Sequence, residues 1–387
     1  MERIRNSSLF LLWIGAAISI SEIYTGGLIA PLGLAKGLAA ILIGHLIGTL
    51  LLAFGGYISF QSGRTAMEKV RDSLGPVGAK ITAFLNVLQL IGWGAVMIIQ
   101  AGRAFGGIVN LSLGISIIIM GLAVFTWAFF FNNYSKVIND IFVVVLLALS
   151  IMVLFKIDFN TFPGLTGEMS FTTAIELSIA MPISWLPLIG DYTKNGQSKQ
   201  GVFWASFSGY FIGSALMYLL GFLITTHTGL DVIEYIVQSN IKFVAGFIIV
   251  VSTVTTAFLD IYSAVISTKQ LIPFNNDNLW IAIYSLISML IAFVFPIENY
   301  ENFLLTIGGV FIPVYTIVFI EYLTHYKGQS VKLNTAGILV AIAGTLLYNY
   351  FVKAQWGSPT IAVFLGVSVV YLVIKRLLIS EPLLTSK

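Results

Sequence analysis

The feature that most constrains this chain is a succession of twelve apolar runs, each long enough to cross the hydrocarbon core of a bilayer as a helix, for which about 20 residues suffice. They are placed at Ser8–Leu34, Leu38–Phe60, Val77–Gly107, Leu111–Phe131, Val137–Phe155, Thr172–Ile189, Gly201–Thr226, Phe243–Thr268, Leu279–Phe295, Phe303–Tyr322, Leu333–Phe351 and Ser358–Leu378. Short polar connections separate them, so no stretch reads as a separate water-soluble domain. Only 10% of the 387 residues are charged, against about 25% in a soluble domain. The lipid bilayer is therefore the expected partner of most of the surface.

Several function classes fall away on composition. There is no cysteine, which excludes disulfides and thiolate metal sites. The net charge of +3 is small and scattered, which is not a nucleic-acid footprint. No His-Glu-x-x-His or comparable catalytic motif is present, and the 3 histidines lie far apart, so no enzyme activity and no organic cofactor are expected. The short basic start, with Arg3 and Arg5, leads into an apolar run without a small-residue cleavage site. It is read as a retained first helix.

Lysine and arginine set the expected orientation. With the N-terminus in the cytoplasm, fifteen of the 20 fall on the inner side, and only Lys36, Arg103, Lys156, Lys242 and Lys353 on the outer. This excess predicts cytoplasmic N- and C-termini in a plasma membrane. The outer connection from His227 to Lys242 carries apolar residues at helical spacing and predicts a short amphipathic helix.

Two runs contain helix-weakening residues near mid-membrane. The first holds Ser21-Glu22-Ile23-Tyr24-Thr25-Gly26-Gly27, and the sixth holds Pro182-Ile183-Ser184-Trp185-Leu186-Pro187. Proline removes a backbone donor and clashes one turn back. Irregular backbone at that depth survives only where it is buried in protein or lines a wet cavity. The two runs are five apart, so the halves they begin enter from opposite sides. That is the layout of an inverted repeat, whose broken helices frame a substrate site near the midplane. Other glycine pairs, Gly44-xxx-Gly48, Gly102-xxx-Gly106 and Gly209-xxx-Gly213, are read as close-packing surfaces.

An ionisable residue inside the bilayer is costly and therefore a candidate for function. Glu22 and Asp260 are the central acids; Glu176 lies nearer an outer mouth, and Asp140, Asp191 and Glu321 lie near inner ends where water or lysine could solvate them. His45 stands alone and reads as a packing histidine. Ser252, Thr253, Thr255 and Thr256 precede Asp260 on the eighth run, and hydroxyls with freed carbonyls suit Na⁺. Gln89 and Trp93 share one helix face, and Trp185 sits beside the second break. Two indoles could hold a flat ring while amide and carboxylate groups read its edge.

Three segments resemble the nucleobase:cation symporter-1 family, and within it the CytX-like branch of hydroxymethylpyrimidine transporters: Glu22-Ile-Tyr-Thr-Gly-Gly-Leu-Ile-Ala-Pro-Leu-Gly, Gln89-Leu-Ile-Gly-Trp93 and Pro182-Ile-Ser-Trp-Leu-Pro-Leu-Ile-Gly-Asp-Tyr-Thr-Lys194. The resemblance implies an all-α, LeuT-like 5+5 inverted repeat with two extra helices. The ten-helix core would cover 1–325, with repeats at about 8–155 and 172–323, and two peripheral helices and a tail would fill 326–387. It implies cation-coupled import of a planar nitrogen heterocycle, foremost hydroxymethylpyrimidine or an aminopyrimidine or nucleobase such as cytosine. An amino-acid or other small-metabolite transporter of the same fold is the alternative. The family's stacking tryptophan maps onto Trp93, while its second stacking position falls on Pro182, leaving Trp185, Tyr24 or Phe258 to supply the other face. The candidate substrate set is Glu22, Tyr24, Gln89, Trp93, Ser184, Trp185 and Asp260. The candidate Na⁺ set is Ser19, Glu22, Thr255 and Thr256, with H⁺ as the other possible coupling ion.

Overall fold

The computed structural model describes residues 3–130, 135–163, 165, 167–324 and 333–380. The expected C-terminal tail beyond residue 380 lies outside them. The helices, in chain order, are α1 (Asn6–Ala17), α2 (Ile20–Leu28), α3 (Leu34–Ser62), α4 (Ala66–Val109), α5 (Leu113–Phe130), α6 (Ser135–Leu154), α7 (Phe171–Ser184), α8 (Ile189–Thr193), α9 (Lys199–Thr228), α10 (Val232–Gln238), α11 (Lys242–Thr268), α12 (Asp277–Ala292), α13 (Tyr300–Leu323), α14 (Thr335–Ala354) and α15 (Pro359–Ser380). Among the described residues, eight helices are long and apolar enough to cross a membrane, and the bent pair α1–α2, taken as one span, gives nine. The shorter apolar helices α6, α7 and α12 occupy the remaining three of the twelve positions. The amphipathic helix predicted between Gly229 and Lys242 is α10, capped by the Asp231 carboxylate on the amides of Ile233 and Glu234.

Where the helices break follows from local chemistry. α1 stops at Ala17, and Ile18 and Ser19 are extended, with ψ of 93° and 155°. Ser19 then caps α2, its Oγ accepting from the amide of Glu22 at 3.2 Å, which satisfies one of the amides a helix start leaves unpaired. The chain bends by 56° here. The break thus precedes the Ser21–Gly27 stretch in which it was expected, and Gly26 and Gly27 lie inside α2. Their smallness serves packing instead. A Cβ on Gly26 would fall 2.0 Å from the carbonyl oxygen of Tyr218, and one on Gly221 would fall 1.7 Å from that of Ile23. The backbones of α2 and α9 touch, and only glycine permits it.

The second break lies between α7 and α8, at Trp185–Leu188, with Pro182 in the last turn of α7 and Pro187 inside the break. A third irregularity divides α4: Gly75 adopts φ 77°, ψ 178° ahead of Pro76. This separates a short inner helix, started by a full Thr65/Glu68 capping box, from the long third span.

The packing is that of two exchanged halves. α1 and α2 pack on α9, α3 packs on α7 and α9, and α4 packs on α11 and α12, while α14 and α15 lean on α13 from outside. Gly44 and Gly48 meet α7, Gly209 and Gly213 meet α1, and Gly102 and Gly106 meet the start of α5, which bears out their reading as close-packing surfaces. Single faces of α3, α5, α12, α14 and α15 expose large apolar side chains, as helices bordering lipid do.

Candidate functional site

Both breaks open on one cavity at the centre of the bundle. Its walls are Ala16, Ser19, Ser21 and Glu22 from the first break, Met181, Ser184 and Trp185 from the second, Trp93 and Met97 from α4, and Thr256 and Asp260 from α11. About 280 Å³ is free of atoms, yet a water molecule's centre can occupy only about 20 Å³ of it. A water needs ~10–15 Å³ by that measure, so the cavity in this arrangement holds one or two waters. A heterocycle enters only when the walls part.

Two indoles face this space from separate supports. Trp93 packs edge-on against Tyr300 and Phe303 of α13, with ring centroids 6.1 and 5.4 Å away. Trp185 packs edge-on against Trp13 of α1 and Tyr210 of α9 at 6.0 and 6.3 Å. The Nε1 of Trp93 is buried without a partner among the described residues. A buried donor left unpaired costs free energy unless a ligand or water meets it.

The acids sit in contrasting surroundings. Asp260 is 3% exposed and lines the cavity, and no group among the described residues hydrogen bonds to its carboxyl. Glu22 is equally buried, but Tyr210 donates to its Oε1 at 2.8 Å and Ser214 to its Oε2 at 2.6 Å. Glu176 is turned away to the periphery, where Tyr348, Ser358, Thr360 and the Thr360 amide all donate to it. Asp191 is not at a solvated inner end as expected. It is buried between α8 and the start of α4, where the Ala66 amide lies 3.4 Å away. Glu321 does find its lysine, Lys375, at 2.8 Å.

Among the remaining candidates, Ser184 lines the cavity with its Oγ donating to the carbonyl of Met181 at 2.6 Å. Gln89 does not reach the cavity. Its amide donates to the carbonyl of Ser184 at 3.0 Å and to Asn86 at 2.8 Å, so it braces the second break from behind, on backbone that the end of α7 leaves free. Its Oε1 remains unpaired. Tyr24 is also outside the cavity, edge-on to Tyr300 at 5.6 Å, and Phe258 does not line it. Of the three candidates for the second ring face, Trp185, Tyr24 and Phe258, Trp185 lines the cavity and the other two do not.

The hydroxyls divide in the same way. Thr256 lines the cavity and its Oγ1 lies 3.5 Å from the carbonyl oxygen of Gly15, near the end of α1. Thr255 donates back to the carbonyls of Val251 and Ser252. Ser19 spends its Oγ on the α2 cap, and both Glu22 oxygens point to α9. The helix 1 oxygen within reach of the Thr256 hydroxyl is the Gly15 carbonyl. The side-chain oxygens of Ser19 and Glu22 are therefore committed elsewhere.

Sequence reasoning missed Ser21, Met97 and Met181 as wall residues and Tyr210, Ser214 and His45 as the surroundings of Glu22. Ser21 donates to Gln100 at 2.6 Å. Tyr210 and Ser214 are four apart on α9, a spacing that places them on one face. That spacing was a usable signal, hidden within a helix read only for its glycines.

Comparison with known proteins accords with this architecture. The family profile "Permease for cytosine/purines, uracil, thiamine, allantoin" matches residues 3–335. "Putative purine-cytosine permease YxlA" of Bacillus subtilis (strain 168) is 28% identical over 232 residues, 56% of this chain and 50% of that protein. "Vitamin B6 transporter TPN1" of Saccharomyces cerevisiae is 24% identical over 236 residues, 57% of this chain and 41% of that protein. The matched stretches thus span about half the length of these relatives or less. Among solved structures, Mhp1, a nucleobase-cation-symport-1 family transporter in a closed conformation with bromovinylhydantoin bound, superposes with TM-score 0.79 at 16% identity, over 100% of this chain and 95% of that one. A Na⁺-coupled sialic acid symporter gives 0.72 at 12% identity, over 97% and 90%. The fold is all-α, of the LeuT-like 5+5 class with two additional helices. The chain belongs to the family of membrane permeases for cytosine/purines, uracil, thiamine and allantoin.

Proposed function

We propose that the protein is a cation-coupled symporter that imports a planar nitrogen heterocycle, foremost hydroxymethylpyrimidine or a related aminopyrimidine or nucleobase such as cytosine. The observation that carries this reading is the cavity in which Trp93, Trp185 and an unpartnered Asp260 meet. The indoles offer two faces for an aromatic ring. The carboxyl offers an acceptor for an exocyclic amine, and an ionised carboxylate accepts only, which favours an amino-substituted ring over a diketo ring. Amino-acid carriers of this architecture hold a substrate carboxylate at a positive half-helix end. Here Glu22 stands in the first turn of α2, at that place.

Repeats at about 8–155 and 172–323 would rock against each other to expose the cavity alternately, with both termini cytoplasmic in a plasma membrane. Thr256 and the Gly15 carbonyl support a Na⁺ position between α1 and α11. The test is uptake of labelled hydroxymethylpyrimidine into proteoliposomes, competed by cytosine, adenine, uracil, thiamine and hydantoins, with and without a Na⁺ gradient. Gradient-driven uptake competed best by amino-substituted rings is the expected result. Absence of uptake of every such ring would overturn the reading.

A further inference from the structure

The surroundings of Glu22 contain a hydrogen-bonded chain with a definite proton requirement. Tyr210 Oη meets Glu22 Oε1 at 2.8 Å. Ser214 Oγ meets Glu22 Oε2 at 2.6 Å and His45 Nε2 at 2.7 Å. His45 Nδ1 meets the carbonyl oxygen of Ile41 at 2.8 Å. All four side chains are at most 1% exposed, and none of their polar atoms is left without a partner.

Each of these four contacts needs one hydrogen. The Ile41 carbonyl can only accept, so Nδ1 carries a proton. Tyr210 supplies the hydrogen for its own contact. Ser214 has a single hydroxyl hydrogen but lies between two partners. If Glu22 were ionised and His45 neutral, both would require that one hydrogen, and one short contact would set two lone pairs against each other. A fourth hydrogen closes the chain. It resides either on Glu22, which then donates to Ser214 while Ser214 donates to His45, or on His45, which donates to Ser214 while Ser214 donates to Glu22. A fifth would place two donors face to face. The chain is complete with one exchangeable proton, and its net charge is then zero.

No other charge supplies that balance. α9 presents Tyr210 and Tyr218, the latter edge-on to His45 at 4.5 Å. α13 presents Tyr300, which is bonded to Thr25 and the Ser21 carbonyl. α11 presents Asp260 across the cavity. α4 contributes Trp93 and Met97 there, and α7 contributes Ser184 and Trp185, while the α7 acid Glu176 is bonded to α14 and α15. Among the described residues no lysine or arginine forms an ion pair with Glu22.

We infer that Glu22, Ser214 and His45 form a proton-binding site, filled from the cavity through Glu22, and that its one proton is carried with the substrate. Transfer within the site is balanced. The O–H bond of Glu22 breaks as its proton passes to Ser214 Oγ, and the Ser214 proton passes to His45 Nε2, leaving a carboxylate and an imidazolium. The coupling part of this inference rests on the transport reading above; the proton site itself does not.

The test uses the full-length protein in lipid. Desolvation disfavours a buried carboxylate–imidazolium pair, so the resting proton is placed on Glu22; infrared titration follows the C=O stretch of that carboxyl, and Glu22→Gln is expected to remove the band. His45→Leu abolishes the second claim on the Ser214 hydrogen, so ionised Glu22 is satisfied without the extra proton. Because an unpaired buried acceptor is costly, its midpoint is expected to fall by about one pH unit or more. Proteoliposomes containing a pH-sensitive dye, without Na⁺, then report on coupling. An inward acid gradient should drive accumulation of labelled cytosine or hydroxymethylpyrimidine, with proton entry dependent on the ring. Counterflow exchange of the same labelled rings by the native protein tests transport alone, and failure there would sink the transport reading while leaving the infrared result intact. A carboxyl band indifferent to both substitutions, or exchange-competent protein whose uptake is independent of pH, would overturn the inference.

Discussion

Glu22 and Asp260 are acids that line one cavity from different helices, and they are treated in opposite ways. The α2–α9 wall closes around Glu22 with Tyr210 and Ser214, helped by backbones brought into contact at Gly26 and Gly221. The α11 wall presents Asp260 with no hydrogen-bond partner among the described residues. A buried polar group that the protein does not satisfy is a demand on whatever enters the cavity, whereas a satisfied one is part of the frame. On the proposed function, the difference leaves Asp260 to read the ligand and Glu22 to organise the first break and hold the proposed proton.

The largest effect should come from the unpartnered wall. Asp260→Ala is expected to reduce kcat/KM for labelled hydroxymethylpyrimidine uptake about 100-fold, the scale of a lost hydrogen bond to a charged group. Asp260→Asn should narrow the preference for amino rings over uracil. An equal loss for both ring types in each variant would erase the distinction between the walls.

Stacking comes next. Trp93→Ala should raise the KM about 10–100-fold, given ~1–3 kcal/mol for a base on an aromatic ring, with Trp93→Phe recovering most of it. An unchanged KM would mean that the ring lies elsewhere. On the closed wall, Gly221→Ala should destabilise the protein by about 1–3 kcal/mol through overpacking, visible as a lower Tm in detergent or lipid. A variant as stable as the native protein would show that α2 and α9 can separate freely. The smallest effect is expected at the proposed cation position. Thr256→Ala should weaken Na⁺ stimulation of uptake more than Thr255→Ala, since the Thr255 hydroxyl is bonded to its own helix. The reverse order would move the Na⁺ position away from the Gly15 carbonyl.

The two breaks show how far local patterns carry. Pro182 in the last turn of α7 and Pro187 within the gap mark the actual interruption at Trp185–Leu188, because a missing N–H and a ring clash act on the adjacent turn whatever surrounds them. Gly26 and Gly27 misled, because glycine weakens a helix but also lets another backbone approach, and residues more than 190 positions later on α9 select the second use. A better local signal was present. Ser19-Ile20-Ser21-Glu22 has the spacing of a capping box, and Ser19 does cap α2, although the Glu22 side chain turns to α9 instead of reaching back.

His45 illustrates the other limit. A solitary histidine beside a packing glycine carries no sign in sequence that a serine 169 positions away will sit on its Nε2. Gln89, likewise, has the spacing of a partner to Trp93 but is drawn to the free carbonyl of Ser184.

The amino-acid sequence alone determined the twelve apolar runs, the existence of two interrupted ones and the residue types available at their level, because hydrocarbon length, proline sterics and the cost of buried charge act locally. The tertiary structure decided which oxygens remain free. Hydrogen-bond partners in a bundle come from helices far apart in the chain, and a carboxyl becomes frame or reader according to which of them arrives.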